Sequence, residues 1–449
     1  MRRTRPFAAC AAAVIGLSAI AGGAGANDTP LSVYLAALEH NAALQASRAG
    51  LDAEREATAI TFGQLLPNLS LSSNISRNQV DRSLAGSPSE RFDYNSQSNT
   101  LNLRQPIYRR YNLAAYVQSK SQVEAAEANF GRTRGELAVK VVSAYFDATY
   151  ADVSAQLIEV QKTAVAAQAD AAIKSFQAGA GTRIDVDEAK SKYDMVLAQE
   201  IEVHNQQINT RRALQALIAR PVARLGALDP GRMLLLVPRP SDGDAWVAEA
   251  VAANPELAAA RSQIGIAEQE VNKAVSGHHP TLDLVASVGT SGNDSLATLN
   301  RSGDVRFRQN IIGLQLSVPL YAGGQVNATV RQARAKLEQA KFQAEEIRRN
   351  LEAAVQREFD SLAQTAAKIQ ALQQAESSGQ QTVQSVRRGV EAGVRSVLDV
   401  LQADQQLFSV RSDLARERYR HLLARLRLAA LAGREAEPDL KDMNAWFGG

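Results

Sequence analysis

A chain of 449 residues, 45% of them hydrophobic, has the material for one elongated buried structure or for more than one ordinary domain. Its 50 basic and 47 acidic residues differ by three, and Arg2, Arg3 and Arg5 account for all of that difference, so the rest is neutral and offers no electrostatic case for nucleic acid. The single cysteine, Cys10, excludes a disulfide framework or thiolate site anywhere beyond the first residues.

Residues 1–26 have the three-part pattern of a secretory signal: the arginines, an apolar run from Phe7 to Ile20, and small residues at Ala24, Gly25 and Ala26. The rest of a twin-arginine signal is lacking, and Cys10 stands too early in the apolar run for lipid acylation. After residue 26 no run of about 18 apolar residues remains, which leaves no transmembrane helix. An exported chain of this kind is either soluble outside the cytoplasm or inserted as a β-barrel.

The remainder is a tandem duplication. Asn41, Leu44 and Arg48 recur as Asn254, Leu257 and Arg261; Pro67, Leu69 and Leu71 recur as Pro280, Leu282 and Leu284; Leu103, Pro106 and Tyr108 recur as Leu316, Pro319 and Tyr321. The offset is 213 each time, and it is 214 between Gly179, Asp185, Val186 and Gly393, Asp399, Val400. A fixed period of this kind marks a repeated structural unit. The repeats span 27–218 and 246–433, with a proline-rich link over 219–245 and an irregular tail over 434–449.

Each repeat opens on a helix and passes to alternating segments between Pro67 and Pro106 and between Pro280 and Pro319. Leu69, Leu71, Leu101 and Leu103 alternate with polar residues, as do Leu282, Leu284, Ile312, Leu314, Leu316 and Val318, which predicts strands with one apolar face. Polar inserts over Gln79–Ser98 and Thr290–Gln309 read as the loops joining each strand pair. Residues 107–220 and 320–437 then contain no proline, in runs far longer than ordinary globular helices. Each run breaks at one turn, holding Gly179 and Gly181 in the first and Gly393 in the second. From Tyr108 to Phe176 a straight helix would reach roughly 100 Å, longer than a compact domain needs. Past the turns, Val186, Ala189, Tyr193 and Val196 in one repeat, and Val400, Ala403, Leu407, Val410 and Leu414 in the other, keep the 3,4 spacing of a coiled-coil seam.

Four strands cannot close a membrane barrel alone, since bacterial ones begin at about eight. The paired hairpins between prolines, the segment Val142 to Phe146, the Pro319 to Gly324 segment and the two glycine-to-Asp-Val turns together resemble the TolC-like outer membrane efflux family, over about residues 28–433. The resemblance implies a mainly α fold with a membrane β-barrel, in which long coiled-coil helices form an α-barrel and a homotrimer shares twelve strands. It implies an exit duct in the outer membrane lipid, fed through a periplasmic adaptor (membrane fusion) protein by an inner membrane transporter of ABC or RND type, with no enzyme activity and no cofactor. Pro67, Pro106, Pro280 and Pro319 would stand where strands hand over to helices, as proline's intolerance of helix interiors favours. The polar inserts would face the exterior.

The resemblance also assigns roles at the far end. The turns at Gly179, Gly181 and Gly393 would meet the adaptor, and Arg395 would be held to the acid of the other repeat to keep the tunnel mouth shut. Asp185 and Asp399 are equivalent acids just past the turns, and the inward acid would make one ring of charge at that mouth when threefold repeated. Val390 and Gln402 depart from the pattern, standing where a tyrosine and a second acid can occur, so the closed state would be held less firmly. Read without the resemblance, Arg395 and Asp399 are an i,i+4 surface pair and Asp185 and Asp399 are acids favoured by helix N-termini. The five histidines, His40, His204, His278, His279 and His421, are scattered and make no metal set. The lack of a lipid-acylation cysteine favours the type I protein secretion branch. The competing class is a periplasmic coiled-coil adaptor or spacer, which would have no reason to duplicate helix, strand pair and helix at a fixed offset.

Overall fold

The computed structural model describes residues 27–448, apart from 84–87, 223, 234, 236–239 and 299–300; the signal segment 1–26 lies outside the described residues. Each repeat begins with two short helices joined at an asparagine: α1 (Pro30–His40) and α2 (Ala42–Gly63) meet at Asn41. The second repeat's pair, α5 (Gly243–Ala253) and α6 (Pro255–Val275), meets at Asn254. The side chain of each asparagine accepts from the first turn of the following helix, as a good N-cap does. Its amide donates to a carbonyl at the end of that repeat's last long helix, Asn41 to Leu217 at 3.4 Å and Asn254 to Leu431 at 2.9 Å. One residue type thus stops one helix, starts the next and pins both to the repeat's far end.

The strands are β1 (Asn68–Arg82) and β2 (Glu90–Tyr108) in the first repeat, and β4 (Thr281–Thr298) and β5 (Arg301–Ser317) in the second. They form one antiparallel sheet in the order β1-β2-β4-β5, so β1 and β5 are its edges. The register aligns the predicted apolar positions across it: Leu69 opposite Leu103, Leu71 opposite Leu101, Leu101 opposite Val288, Leu282 opposite Leu316, Leu284 opposite Leu314. Leu69, Leu71, Leu101, Val288, Leu314 and Leu316 stand exposed, Leu71 by more than 70%, while Leu103, Leu282 and Leu284 are half-buried.

Two expectations are corrected here. The inserts Gln79–Ser98 and Thr290–Gln309 are mainly strand, since β1 runs on to Arg82 and β4 to Thr298. Hydrophobic alternation stops there, but the ladder does not: Ser76 and Ser96 hydroxyls meet at 2.7 Å, Asn78 donates to Ser96 at 2.9 Å and Arg91 to Asp81 at 2.8 Å. Polar cross-strand pairs carry the hairpin past the apolar band. Pro106, in turn, lies inside β2, at a bulge between Pro106 and Tyr108, and the hand-over to helix falls at Arg109. A bulge leaves a residue out of the ladder, which accommodates the missing N–H of proline. Pro67 and Pro280 directly precede β1 and β4, and Pro319 follows β5.

The long helices are α3 (Arg110–Gln177, 68 residues) with α4 (Arg183–Ile218), and α7 (Gln325–Glu391, 67 residues) with α8 (Val397–Leu431). Each pair folds back as an antiparallel hairpin, and α3 also packs against α6 and α8. The link and the tail are not merely irregular. In the link β3 (Ala227–Leu228) pairs with β6 (Phe447–Gly448) of the tail, which also carries α9 (Ala436–Asn444). Together they wrap the middle of α3, where Phe447 stacks on Phe146 with centroids 5.8 Å apart and meets Tyr145 edge-on. The Tyr145 hydroxyl lies 2.9 Å from the Asp28 carbonyl and 3.0 Å from that of Gly226. This belt is the main core, with Leu214, Ile218, Leu422, Leu426, Leu440 and Met443 fully buried. A second cluster around Trp246, Val355 and Leu428 serves the other repeat, and a third, around Val165, Val186 and Leu401, lies toward the hairpin turns.

Candidate functional site

The two hairpin turns are nearly superposable in their bonding. In the first, Gly179 N–H donates to Phe176 and the amides of Ala180 and Gly181 both donate to the Ser175 carbonyl, at 2.9 and 3.1 Å. In the second, Gly393 donates to Val390, and Val394 and Arg395 both donate to the Gly389 carbonyl, at 2.9 and 3.2 Å. Gly179 and Gly393 share a φ of 74°, the left-handed conformation in which a side chain is strained, with nothing within 4 Å of an added Cβ. Gly181 differs in kind: its backbone is ordinary, but a Cβ would stand 3.0 Å from Ser175 Oγ and 3.1 Å from the Phe176 nitrogen.

Both following helices start with a capping box. The Thr182 hydroxyl accepts from the Asp185 amide, and Asp185 Oδ2 accepts from the Thr182 amide at 2.8 Å and from its hydroxyl at 2.7 Å. Ser396 and Asp399 repeat this at 2.9 and 3.1 Å. The Thr182 hydroxyl and amide hold the Asp185 carboxyl below its usual range, and the Ser396 amide and hydroxyl, aided by the charge of Arg395, do the same for Asp399. Both acids therefore stay ionised at the mouth of the turn.

Asp185, Arg395 and Asp399 are placed at one end of the molecule, on the two turns, but they are not joined. Among the described residues of one chain the Arg395 guanidinium makes no hydrogen bond or ion pair, and it stands exposed on its turn. Two contacts near this end escaped the sequence reading. Arg387 and Asp404 bridge α7 and α8 at 3.1 Å, closing the second hairpin on itself. Their positions lie almost equally far on either side of Arg395, so folding the chain back at the turn would have found them. Lys192 of α4 reaches Gln405 of α8 at 3.5 Å, tying the two repeats together.

At the other end, Asp283 on β4 is 2% exposed and accepts from Arg104 Nη2 at 2.6 Å and from Arg109 at 2.6 and 2.7 Å. Arg109 precedes α3 and makes no side-chain cap of its own, so this carboxylate ties the strand to the start of the long helix.

The sequence matches the outer membrane efflux protein family over residues 33–220 and 246–434. The chain belongs to that family. It is 32% identical to the alkaline protease secretion protein AprF of Pseudomonas aeruginosa, over 93% of this chain and 87% of that one. It is 31% identical to the proteases secretion protein PrtF of Dickeya chrysanthemi, over 93% and 90%. It is 29% identical to the outer membrane protein TolC of Escherichia coli, over 92% and 84%. Its fold is that of solved outer membrane channels. Its backbone matches that of CusC with a TM-score of 0.77, at 18% identity and 91% and 93% coverage. For VceC of Vibrio cholerae the score is 0.75, at 20% identity and 90% and 96% coverage. As a member of the outer membrane efflux family, the protein is an outer membrane channel: the sheet is its membrane part and the long helices reach into the periplasm. Among the described residues no helix is long and apolar enough to cross a membrane, and no cluster of side chains could hold a metal ion.

Proposed function

We propose that three copies of this chain close a twelve-stranded barrel, three times the four strands of one sheet, and conduct cargo passively outward. The observation that carries this reading is the sheet itself: its edges β1 and β5 have no partner among the described residues, while Leu69, Leu71, Ile75, Ile312, Leu314 and Leu316 stand exposed on it. An open edge beside an apolar face invites pairing, and in a membrane every backbone group must find a partner, which only closure provides. An adaptor protein and an inner membrane transporter complete the path, meeting the turns at Gly179, Gly181 and Gly393. The two relatives named for protease secretion favour a type I secretion system with a polypeptide cargo.

At the periplasmic end, Asp185 and Asp399 give the trimer two threefold sets of carboxylates, and the unpaired Arg395 supplies a closing contact to an acid outside its own hairpin. Such an exposed contact is worth about 0 to 1 kcal/mol, weak enough for an adaptor to undo. With Val390 and Gln402 in place of further polar groups, the closed state rests on few contacts.

Mass measurement in detergent tests the barrel: the expected value is three times the mature chain, and a stable, folded monomer would refute closure by three. Single-channel recording in planar bilayers tests the gate. Arg395→Ala is expected to raise conductance, and Asp399→Ala to weaken cation preference; parental behaviour in both would mean that these residues gate nothing.

A further inference from the structure

One facing pair of positions exchanges its sizes between the two turns, and the exchange explains how an arginine fits the second. Residue 175 faces residue 181 across the first turn, and residue 389 faces residue 395 across the second, each pair at the 214 offset. In both, the carbonyl of the earlier residue accepts from the amide of the later one, so the pair is held face to face by backbone. The first turn places Ser175 against Gly181, where a Cβ on the glycine would stand 3.0 Å from the serine oxygen. The second exchanges the sizes. A Cβ on Gly389 would stand 2.8 Å from Arg395 Cγ and 3.3 Å from its Cβ. In each pair one member carries a side chain and the other has none, and a Cβ on the bare member would crowd its partner.

We infer that Gly389 is a positioning residue for Arg395: by lacking a side chain it leaves the space through which the arginine stem leaves the turn toward the tunnel mouth. The clash falls on Cγ, close to the backbone, so the stem cannot evade a methyl group by moving its far end. It must change rotamer, and the guanidinium several bonds further out moves with it. Gly389 lies within α7, where glycine costs about 0.5–1 kcal/mol relative to alanine, so helix stability alone argues against glycine there. Its φ is not in the left-handed region, so the backbone does not demand glycine either.

This inference rests on the gate reading of Arg395, and the test keeps the two apart. Conductance is recorded for Arg395→Ala, Gly389→Ala and the double variant, and the trimeric Gly389→Ala protein is solved by cryo-electron microscopy. The expected result is the same fold-increase in conductance for both single variants, no further increase in the double variant, and an Arg395 side chain in a new rotamer. Adding Arg395→Gly to Gly389→Ser, which rebuilds the first turn's pair in the second, should restore thermal stability to parental while leaving conductance raised. If Arg395→Ala raises conductance and Gly389→Ala does not, or if their effects multiply, the positioning role is wrong while the gate stands. If Arg395→Ala leaves conductance unchanged the gate reading fails, and the cryo-electron microscopy rotamer alone then decides: an Arg395 unmoved by Gly389→Ala refutes the inference.

Discussion

Single residues in this protein are fixed by steric and hydrogen-bonding needs that often differ between residues of the same type. Gly179 and Gly393 supply a left-handed backbone, whereas Gly181 and Gly389 supply room. Asp185 and Asp399 serve their helices as N3 partners of Thr182 and Ser396, and this local work keeps them ionised for any role in the pore. His421 is 3% exposed on α8, with Nδ1 3.0 Å from the Thr365 hydroxyl. Burial, and secondarily the nearby Arg425, lowers its pKa from 6.5. The unfolded chain then takes up a proton below 6.5 that the folded one refuses. Its stability contribution is full above that pH and falls as pH drops from 6.5 toward the folded value. Thermal unfolding between pH 7 and pH 5 should therefore show a loss that His421→Gln reduces; an unchanged pH slope in the variant would assign the loss to other groups.

At the scale of elements, the hardest junction is that between strand and long helix. It is secured by the carboxylate of Asp283, which accepts from both Arg104 and Arg109. Removing one partner of a buried pair costs about 3–5 kcal/mol, and the part-exposed arginines reduce this to roughly 2–3. Asp283→Asn is expected to lower the temperature at which the trimer dissociates in detergent, and Arg109→Gln should cost more than Arg104→Gln because Arg104 is the more exposed partner. Equal, negligible effects would show that backbone pairing alone holds the junction. The hairpin turns between the long helices were legible in sequence because glycines punctuate otherwise proline-free runs, whereas the splits at Asn41 and Asn254 and the tail helix α9 were not. Strand boundaries were not legible either, since polar cross-strand pairs leave no apolar period to read.

For the whole molecule, the belt formed by link and tail decides whether the two repeats act as one body. Asp28, Gly226, Leu440, Met443, Trp446 and Phe447 come from opposite ends and the middle of the chain, and all converge on α3 near Tyr145 and Phe146. Burial pushes the Tyr145 hydroxyl well above the ordinary phenol range, as expected of a group closed off from water. Phe447→Ala removes a ring stacked on Phe146 and touching Tyr145, at a typical cost of about 3–5 kcal/mol. Denaturant unfolding of the detergent-solubilised protein should show a midpoint lowered accordingly, and a parental midpoint would mean that the belt adds nothing to the long helices.

The sequence by itself determined the repeat, the four strands with one apolar face, the length of the helices and the position of both turns. Each of these is a local periodicity or a local exclusion, written in consecutive residues. The tail's pairing with the link and the ion pairs of Asp283 with Arg104 and Arg109 were decided only by tertiary structure. Their partners lie from about 170 to more than 200 residues apart along the chain, and what joins them is the fold's return of distant segments to one place, which no local pattern encodes.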